Sequence, residues 1–257
     1  MATAAAITVL GRHGRYPAPG GAGRGYLLAG PGGAVLIGCG SGVAGRLGYA
    51  LAQPSDLAAV VLPDLRPDHI GDLAAIGCMA ADQAARGERR GLLVVYALSS
   101  PAEAWRRLHW PGVLDVRGVG PGDRIQVAGW SCGWTATDHA CPGAALRWSG
   151  PEGEALACTG LTAPSAAVQA ACAGVEVLLA EADGPGDELQ EEWAGGLAPA
   201  QAGELAATCG VRTLLLSHLD PAVEPGAAAA AARNAFSRAA LALEGRSYPL
   251  GARMDRG

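Results

Sequence analysis

Three of the five histidines in this 257-residue chain follow short apolar runs, beside turn-forming residues. His69 follows VVLPDLRPD, His139 follows TATD, and His218 follows TLLLS. Taken singly, each is more typical of a polar residue satisfied in a loop than of a functional group. Strand ends in layered α/β folds are, however, where side chains converge on a site, and imidazole serves there as a metal ligand or proton carrier. Three histidines at matching places therefore favour one shared site.

The other histidines and the cysteines are weaker candidates. His13 lies in a Gly/Pro-rich loop, and His109 lies near a helix end in WRRLHW, so both are expected at the surface. The seven cysteines have no CxxC spacing, which indicates reduced, mostly buried thiols rather than a disulfide framework or a zinc knuckle. No pattern marks Cys39 or Cys141 as an activated thiolate.

The elements that must position the three histidines fall into two groups of strands, each followed by helices. This grouping favours two mixed sheets packed together with helices outside them, in one domain over residues 1–257. Strands are predicted in the first group at 6–10, 26–29, 34–38, 57–62 and 91–96, and in the second at 124–128, 131–137, 144–148, 155–159, 175–180 and 213–216. The main predicted helices are 41–52, 70–87, 165–173, 199–209 and an Ala-rich helix at 227–243.

Composition limits the function classes. Half of the residues are hydrophobic and 17% are charged, which excludes a disordered chain. A net charge of −5 and a pI near 5.5 provide no basic surface for nucleic acid. No apolar run approaches the ~20 residues of a membrane span, and residues 1–10 lack a basic leader region. We therefore expect a cytoplasmic protein without a membrane partner.

Several segments resemble the motifs of the metallo-β-lactamase superfamily, in its ribonuclease Z-like branch. Residues 57–73 resemble a strand followed by S/T-H-x-H-x-D-H, and VLIGCGSGVAGRL resembles the L-x-D-x-G-x-G motif. TDHACPGAALRW is similar to the third metal-ligand motif, ALACTGLTAPSAAV to Y-S-G-D-T, and TLLLSHLDP to L-x-x-T-H-x-x-P. These motifs follow the family order over roughly residues 6–221. The resemblance implies a four-layer αββα sandwich and a metal-dependent hydrolase.

The departures from this pattern weaken the first of the family's two metal sites. The resemblance places Asp64 and Arg66 where the family has its first two histidines, Leu161 at the bridging Asp, and Gly38 at the Asp of the second motif. The matching positions are Asp68, His69, His139 and His218. Because a guanidinium has no lone pair for a metal, the first site, reduced to Asp64 and His139, is expected to be empty.

The second site retains Asp68, His69 and His218, and three protein ligands with an open position are typical of catalytic zinc. One zinc or other divalent ion there would lower the pKa of bound water to ~7. Arg66 would bind an anionic group, and the reaction would be hydrolysis of a small ester, thioester, lactone or phosphodiester. Asp68 and Arg66 are thus the catalytic candidates.

A metal-free pseudoenzyme is the alternative. In it Arg66 pairs with Asp64 or Asp68, replaces the metal charge, and leaves a pocket for a small anionic ligand or a partner enzyme. The resemblance also places Glu181 in the branch's His-Glu pair, with Ala180 at the His. Processing of tRNA is disfavoured by the acidic chain, and a homodimer is the expected assembly because relatives often pair.

Overall fold

The computed structural model describes residues 4–51, 53–184, 196–220 and 223–251, and their strands form two seven-stranded mixed sheets. The first sheet contains β1 Ala6–Gly11, β2 Gly25–Gly30, β3 Gly33–Ile37, β4 Leu57–Leu62, β5 Leu93–Leu98, β6 Leu114–Val119 and β14 Ser247–Pro249. Its spatial order is β14-β1-β2-β3-β4-β5-β6. The pairs from β3 to β6 are parallel, so the carboxyl ends of these strands share one edge.

The second sheet also has seven strands, with an antiparallel part and a parallel part. It contains β7 Arg124–Val127, β8 Trp130–Ala136, β9 Ala144–Ser149, β10 Ala155–Cys158, β11 Val177–Glu181, β12 Thr213–Ser217 and β13 Ala239–Leu241. The spatial order is β13-β12-β11-β10-β9-β8-β7. The strands from β10 to β13 pair in parallel, and β7 to β10 form an antiparallel meander.

Helices cover the outer face of each sheet. They are α1 Val43–Ala50, α2 Pro67–Ile70, α3 Leu73–Ala85, α4 Ala102–Arg107, α5 Ala166–Cys172, α6 Pro199–Cys209 and α7 Pro225–Ala235. One apolar cluster lies between the sheets, where Leu28 and Val35 of the first sheet are in the same core as Trp148 and Leu156 of the second. Two further clusters join each sheet to its own helices. The layers therefore run helix, sheet, sheet, helix.

The burial of each strand explains whether its sequence alternates between apolar and polar residues. β8 alternates buried and half-buried residues, as expected for an antiparallel strand with one solvated face. β11 is buried throughout, because a central parallel strand is covered on both faces. Its near-continuous apolar run therefore specifies a strand inside two layers of packing rather than at the surface.

The predicted αββα sandwich is confirmed, but the prediction was wrong at three strands. The Ala-rich helix predicted at 227–243 ends at Ala235, and residues Ala239–Leu241 form β13 instead. Pairing with β12 satisfies backbone groups that would otherwise be left open at the sheet edge, and this outweighs the helix propensity of alanine. β6 and β14 were also missed. Within the described residues, no helix combines the length and apolar character needed to cross a bilayer.

Candidate metal centre

Polar side chains gather at one edge of the sandwich, beyond the carboxyl ends of β4, β11 and β12. Both sheets contribute, since parallel strands in each bring their carboxyl ends to this edge. The first sheet supplies Asp64, Arg66, Asp68 and His69, and the second supplies Glu181, Asp183 and His218. The α2 helix begins at Pro67, whose fixed φ suits the first helical position and sets the turn that holds Asp68 and His69.

Two histidine–carboxylate pairs determine which ring nitrogens face each other. Nδ1 of His69 lies 2.8 and 2.6 Å from the two carboxylate oxygens of Asp64, and Nδ1 of His218 lies 3.1 Å from Asp183. Each Nδ1–H donates to its carboxylate, so the neutral form of each ring carries its lone pair on Nε2. The two Nε2 atoms are 2.7 Å apart. A cation or a proton must lie between them.

Asp68 completes a set of three ligand atoms. Its Oδ2 is 3.3 Å from Nε2 of His218 and 3.4 Å from Nε2 of His69. Two ligands of a tetrahedral zinc ion lie about 3.3 Å apart when each is about 2.0 Å from the metal. The carboxylate-to-imidazole separations fit that geometry, whereas the two Nε2 atoms, 2.7 Å apart, would have to separate slightly to hold one ion. The two outer carboxylates provide the hydrogen bonds that orient metal-bound histidines. The donor set therefore fits one divalent ion.

Arg66 touches all three of these ligand atoms. Its Nη2 is 2.5 Å from Oδ2 of Asp68, 3.4 Å from Nε2 of His69 and 3.3 Å from Nε2 of His218. The side chain is 9% exposed, so this guanidinium is a nearly desolvated positive charge next to the metal ligands. It both balances Asp68 and competes with any ion for the same carboxylate oxygen.

A second buried guanidinium lies behind the centre. Arg24 is fully buried, with Nη1 3.2 Å from Asp64 and Nε 2.7 Å from Glu181. These contacts join the loop before β2 in the first sheet to the end of β11 in the second. Tyr26 adds a hydrogen bond across the same interface, donating to the hydroxyl of Ser217 at 2.6 Å. The site is thus attached to both sheets by polar contacts.

The charges around the ligands do not cancel. Four carboxylates face two guanidiniums, which leaves two negative charges; the residues are Asp64, Asp68, Glu181, Asp183, Arg24 and Arg66. A buried excess of this size is costly unless a cation neutralises it. One divalent ion has the charge that is missing.

The pKa shifts indicate how the same cluster offsets part of this negative charge without an ion. Burial acts to lower the pKa of His218, but Asp183 and Asp68 outweigh it and raise that pKa to about 9. Burial, together with Arg24 and His218, lowers the pKa of His69 below its usual value. A protonated His218 donating from Nε2 to a neutral His69 accounts for the 2.7 Å separation.

The backbone around His218 is built for close approach. His218 has a φ of 55°, in the left-handed region that few non-glycine residues adopt. A Cβ on Gly14 would lie 2.8 Å from the carbonyl oxygen of His218 and 2.9 Å from its Nδ1. Glycine is therefore required where the loop after β1 covers this ligand.

A cavity of about 600 Å³ opens beside the centre, within the range of small-molecule sites. Arg66 and Asp68 form part of its wall, so a ligand in the cavity reaches the metal-binding edge. The full lining is Arg15, Leu65, Arg66, Pro67, Asp68, Pro101, His139 and Cys141. The mixture of apolar walls with a few charged groups is typical of sites for small molecules.

The structure brings most of the sequence-predicted residues together, with different contacts. Asp68, His69 and His218 form one cluster, whereas both oxygens of Asp64 lie against Nδ1 of His69. His139 is half-buried at the cavity wall, and within the described residues no hydrogen bond joins it to that cluster. The roles of Asp64 and His139 as metal ligands remain predictions.

Two residues of the centre escaped the sequence analysis. Asp183 follows β11 at the same sheet edge as His218, so its position just after a strand could have identified it as a site residue. Arg24 stands between glycines before β2, and nothing in its neighbours indicates complete burial. Of the remaining histidines, His109 is exposed, as predicted, and His13 contacts Glu244 at 3.2 Å instead of joining the centre.

Comparison with known sequences finds distant relatives. No protein-family model matches the chain. The uncharacterized protein Rv1339 of Mycobacterium tuberculosis is 29% identical over 231 residues, which cover 84% of this chain and 81% of the relative. The probable metallo-hydrolase YhfI of Bacillus subtilis is 32% identical over 103 residues, or 40% of this chain and 41% of YhfI.

Solved structures define the fold. The metallo-β-lactamase fold protein YhfI from Bacillus subtilis superposes with a TM-score of 0.88 at 21% identity, covering 96% of this chain and 99% of YhfI. A diphosphatase of the PhnP family superposes with a TM-score of 0.76 at 14% identity, covering 95% of this chain and 97% of the diphosphatase. Human tRNase Z, short form, superposes with a TM-score of 0.75 at 16% identity, covering 96% of this chain and 100% of the tRNase. The chain has the metallo-β-lactamase fold, as its motifs predicted.

Proposed function

We propose that the protein is a hydrolase that holds one divalent metal ion on Asp68, His69 and His218. The observation that carries this proposal is the convergence of three ligand atoms, Oδ2 of Asp68 and Nε2 of His69 and His218, with Nδ1 of each ring hydrogen-bonded to a carboxylate. The unbalanced negative charge around them supports the same assignment. Zinc is the leading candidate because the ligands are two imidazoles and one carboxylate with room for a further ligand.

A divalent ion at this place supplies Lewis acidity, which makes water a stronger nucleophile near neutral pH. The chain's own groups do the rest. Asp64 and Asp183 hold the imidazoles in the tautomer that presents Nε2, and Asp68 supplies the carboxylate at the cavity wall. Arg66 stabilises negative charge on the substrate, because its guanidinium lines the cavity and is nearly desolvated.

The substrate we propose is a small ester, thioester, lactone or phosphodiester. A cavity of about 600 Å³ suits a small molecule, and the net charge of −5 disfavours nucleic acid. Within this group, phosphodiesters are favoured because Arg66 provides the planar donors that bind phosphate oxygens. The names of two structural neighbours, a diphosphatase and a tRNase, point in the same direction.

A metal-free function is the second candidate, and the contacts of Arg66 favour it specifically. The guanidinium already touches Asp68, His69 and His218, so it replaces part of the charge of an ion. The protein would then be a pseudoenzyme that binds a small anionic ligand or a partner enzyme. The two candidates differ in whether the three ligand atoms ever share a metal.

Metal content decides between them. Protein purified without chelators, and again after incubation with zinc or manganese, is expected to contain about one equivalent by plasma mass spectrometry. Asp68→Ala and His218→Ala should lose it, and the exposed His109→Ala is the matched control that should keep it. Loss of metal should also abolish hydrolysis in a screen of nitrophenyl esters and phosphodiesters. No bound metal in the wild-type protein under either condition would refute the metal-dependent function.

A further inference from the structure

His139 differs from the two histidines of the metal centre in the partner of its Nδ1 atom. The backbone N–H of Cys141 donates to Nδ1 of His139 at 2.9 Å. Because this contact is shorter than the 3.4 Å between Nδ1 and the carbonyl oxygen of Cys141, Nδ1 is assigned as the acceptor, which places the proton of the neutral ring on Nε2. In His69 and His218 a carboxylate accepts from Nδ1–H and leaves the lone pair on Nε2. The site thus contains both tautomers.

The fixed tautomer decides what His139 offers to a ligand. A metal requires the lone pair of a neutral imidazole, and on His139 that lone pair is engaged with the backbone. Nε2–H is a hydrogen-bond donor, and within the described part of the chain this atom has no protein partner. His139 is half-buried and lines the cavity.

A second donor without a partner lies close by. Nε of Arg66 is buried and makes no hydrogen bond within the described residues. Arg66 and His139 also share the wall of a small chamber of about 10 Å³, which has room for one water-sized atom. The chamber is lined by Asp64, Arg66, His139, Cys141, Gly143 and Leu161.

One acidic residue lines the chamber, Asp64, and the buried guanidinium of Arg24 offsets its charge at 3.2 Å. Leu161 is apolar and 6% exposed. The oxygens of Asp64 are already occupied by His69, by Arg24 and by the backbone N–H of Arg66. Arg66 and His139 thus bring two N–H groups, each without a protein partner among the described residues, to the wall next to the metal centre. Two such donors, one of them charged, are typical of a site for an oxyanion.

We infer that His139 is a substrate-binding N–H donor that acts with Arg66 on an anionic oxygen, and not a metal ligand. Its place in the reaction rests on the proposed hydrolase function, whereas its tautomer and its anion binding do not. Arg66 and His139, which align with the family's first metal site, would then bind the anionic group of the substrate. This favours phosphodiesters over uncharged esters, thioesters and lactones.

The tautomer is measured directly by long-range ¹H–¹⁵N correlation spectra of ¹⁵N-histidine-labelled protein. Because the chain has five histidines, the His139 signals are assigned from their loss in His139→Gln. The expected spectrum has the proton on Nε2 and does not change its tautomer when zinc is added. A proton on Nδ1, or a zinc-bound Nε2, would overturn the inference.

The second test of the inference measures anion binding. Glutamine can present an amide N–H near the position of Nε2, whereas asparagine reaches only as far as Nδ1. His139→Gln should therefore keep the affinity for inorganic phosphate within about threefold, and His139→Asn should lose about 10–100-fold, as for a hydrogen bond to a charged group. Both variants should retain the metal content of the wild type. If both lose phosphate binding equally, or both lose metal, His139 is not the donor.

These results separate this inference from the proposed function. Wild-type protein without metal would refute the metal-dependent hydrolase, yet phosphate binding and the tautomer would still test His139. Conversely, a metal-loaded enzyme in which His139→Asn binds phosphate normally would leave the hydrolase intact and reject the donor role.

Discussion

Replacing Arg66 by methionine should tighten metal binding while it slows hydrolysis. Nη2 of Arg66 lies 2.5 Å from the Asp68 oxygen that a metal ion would take. To bind an ion, the wild-type protein must release this hydrogen bond, and the guanidinium also repels the incoming charge. Methionine keeps much of the aliphatic volume and removes both effects.

The size of the change follows from the hydrogen bond alone. A hydrogen bond between charged groups contributes about 1.5–3 kcal/mol, and each 1.4 kcal/mol is about a tenfold change in an equilibrium constant. Because the Arg66 side chain is only 9% exposed, solvent screening reduces this little. We expect zinc affinity to rise by about 10–100-fold. Hydrolysis should fall, since the charge that stabilises the substrate is removed.

Competition with a chromophoric chelator measures the zinc affinity, and initial rates on a phosphodiester measure the hydrolysis. The exposed Arg106→Met is the matched control and should change neither quantity. Equal or weaker zinc binding in Arg66→Met would refute the view that this guanidinium competes with the ion. Unchanged hydrolysis with tighter zinc binding would refute only its role in stabilising the substrate.

Further predictions concern the fold and its polar interior. Arg24→Met leaves Glu181 buried without its counter-ion, so urea denaturation should show the free energy of unfolding falling by about 3–5 kcal/mol. The double variant Arg24→Met/Glu181→Met should lose clearly less, and equal losses would contradict the ion pair. Leu146→Ala, in the core between the sheets, should cost about 2–5 kcal/mol in the same assay, and an unchanged midpoint would contradict its burial. Ellman's reagent should react rapidly with exposed Cys78 and slowly with Cys158, because burial raises the pKa of Cys158 to about 12. A rapid phase that survives in Cys78→Ser would contradict this assignment.

The sequence predicted the fold and the clustering of the three candidate metal ligands because both depend on local signals. Apolar runs ending beside His69 and His218 mark strands whose carboxyl ends meet at one edge, and Asp68 lies next to the first of them. The two groups of strands are enough to predict two sheets. Such features are carried by residues that are neighbours in the chain.

The rest depends on long-range packing. Arg24 is 157 positions from Glu181, and only the stacking of the two sheets brings this pair together in the interior. The contact of Asp64 with Nδ1 of His69 could not be predicted either, because the spacing of two residues in the sequence does not determine which ring nitrogen a carboxylate contacts. The strand at Ala239–Leu241 forms because β12 offers an open edge, against the helix propensity of its own residues.

The division of the ligands between the sheets makes the centre sensitive to how the two halves of the sandwich are aligned. Asp68 and His69 move with the first sheet, and His218 moves with the second. A sliding of the sheets by a few tenths of an ångström would leave every strand intact and still spoil the coordination. On the proposed function, the affinity for the ion would report the alignment of the two sheets, and the bound ion would stabilise that alignment.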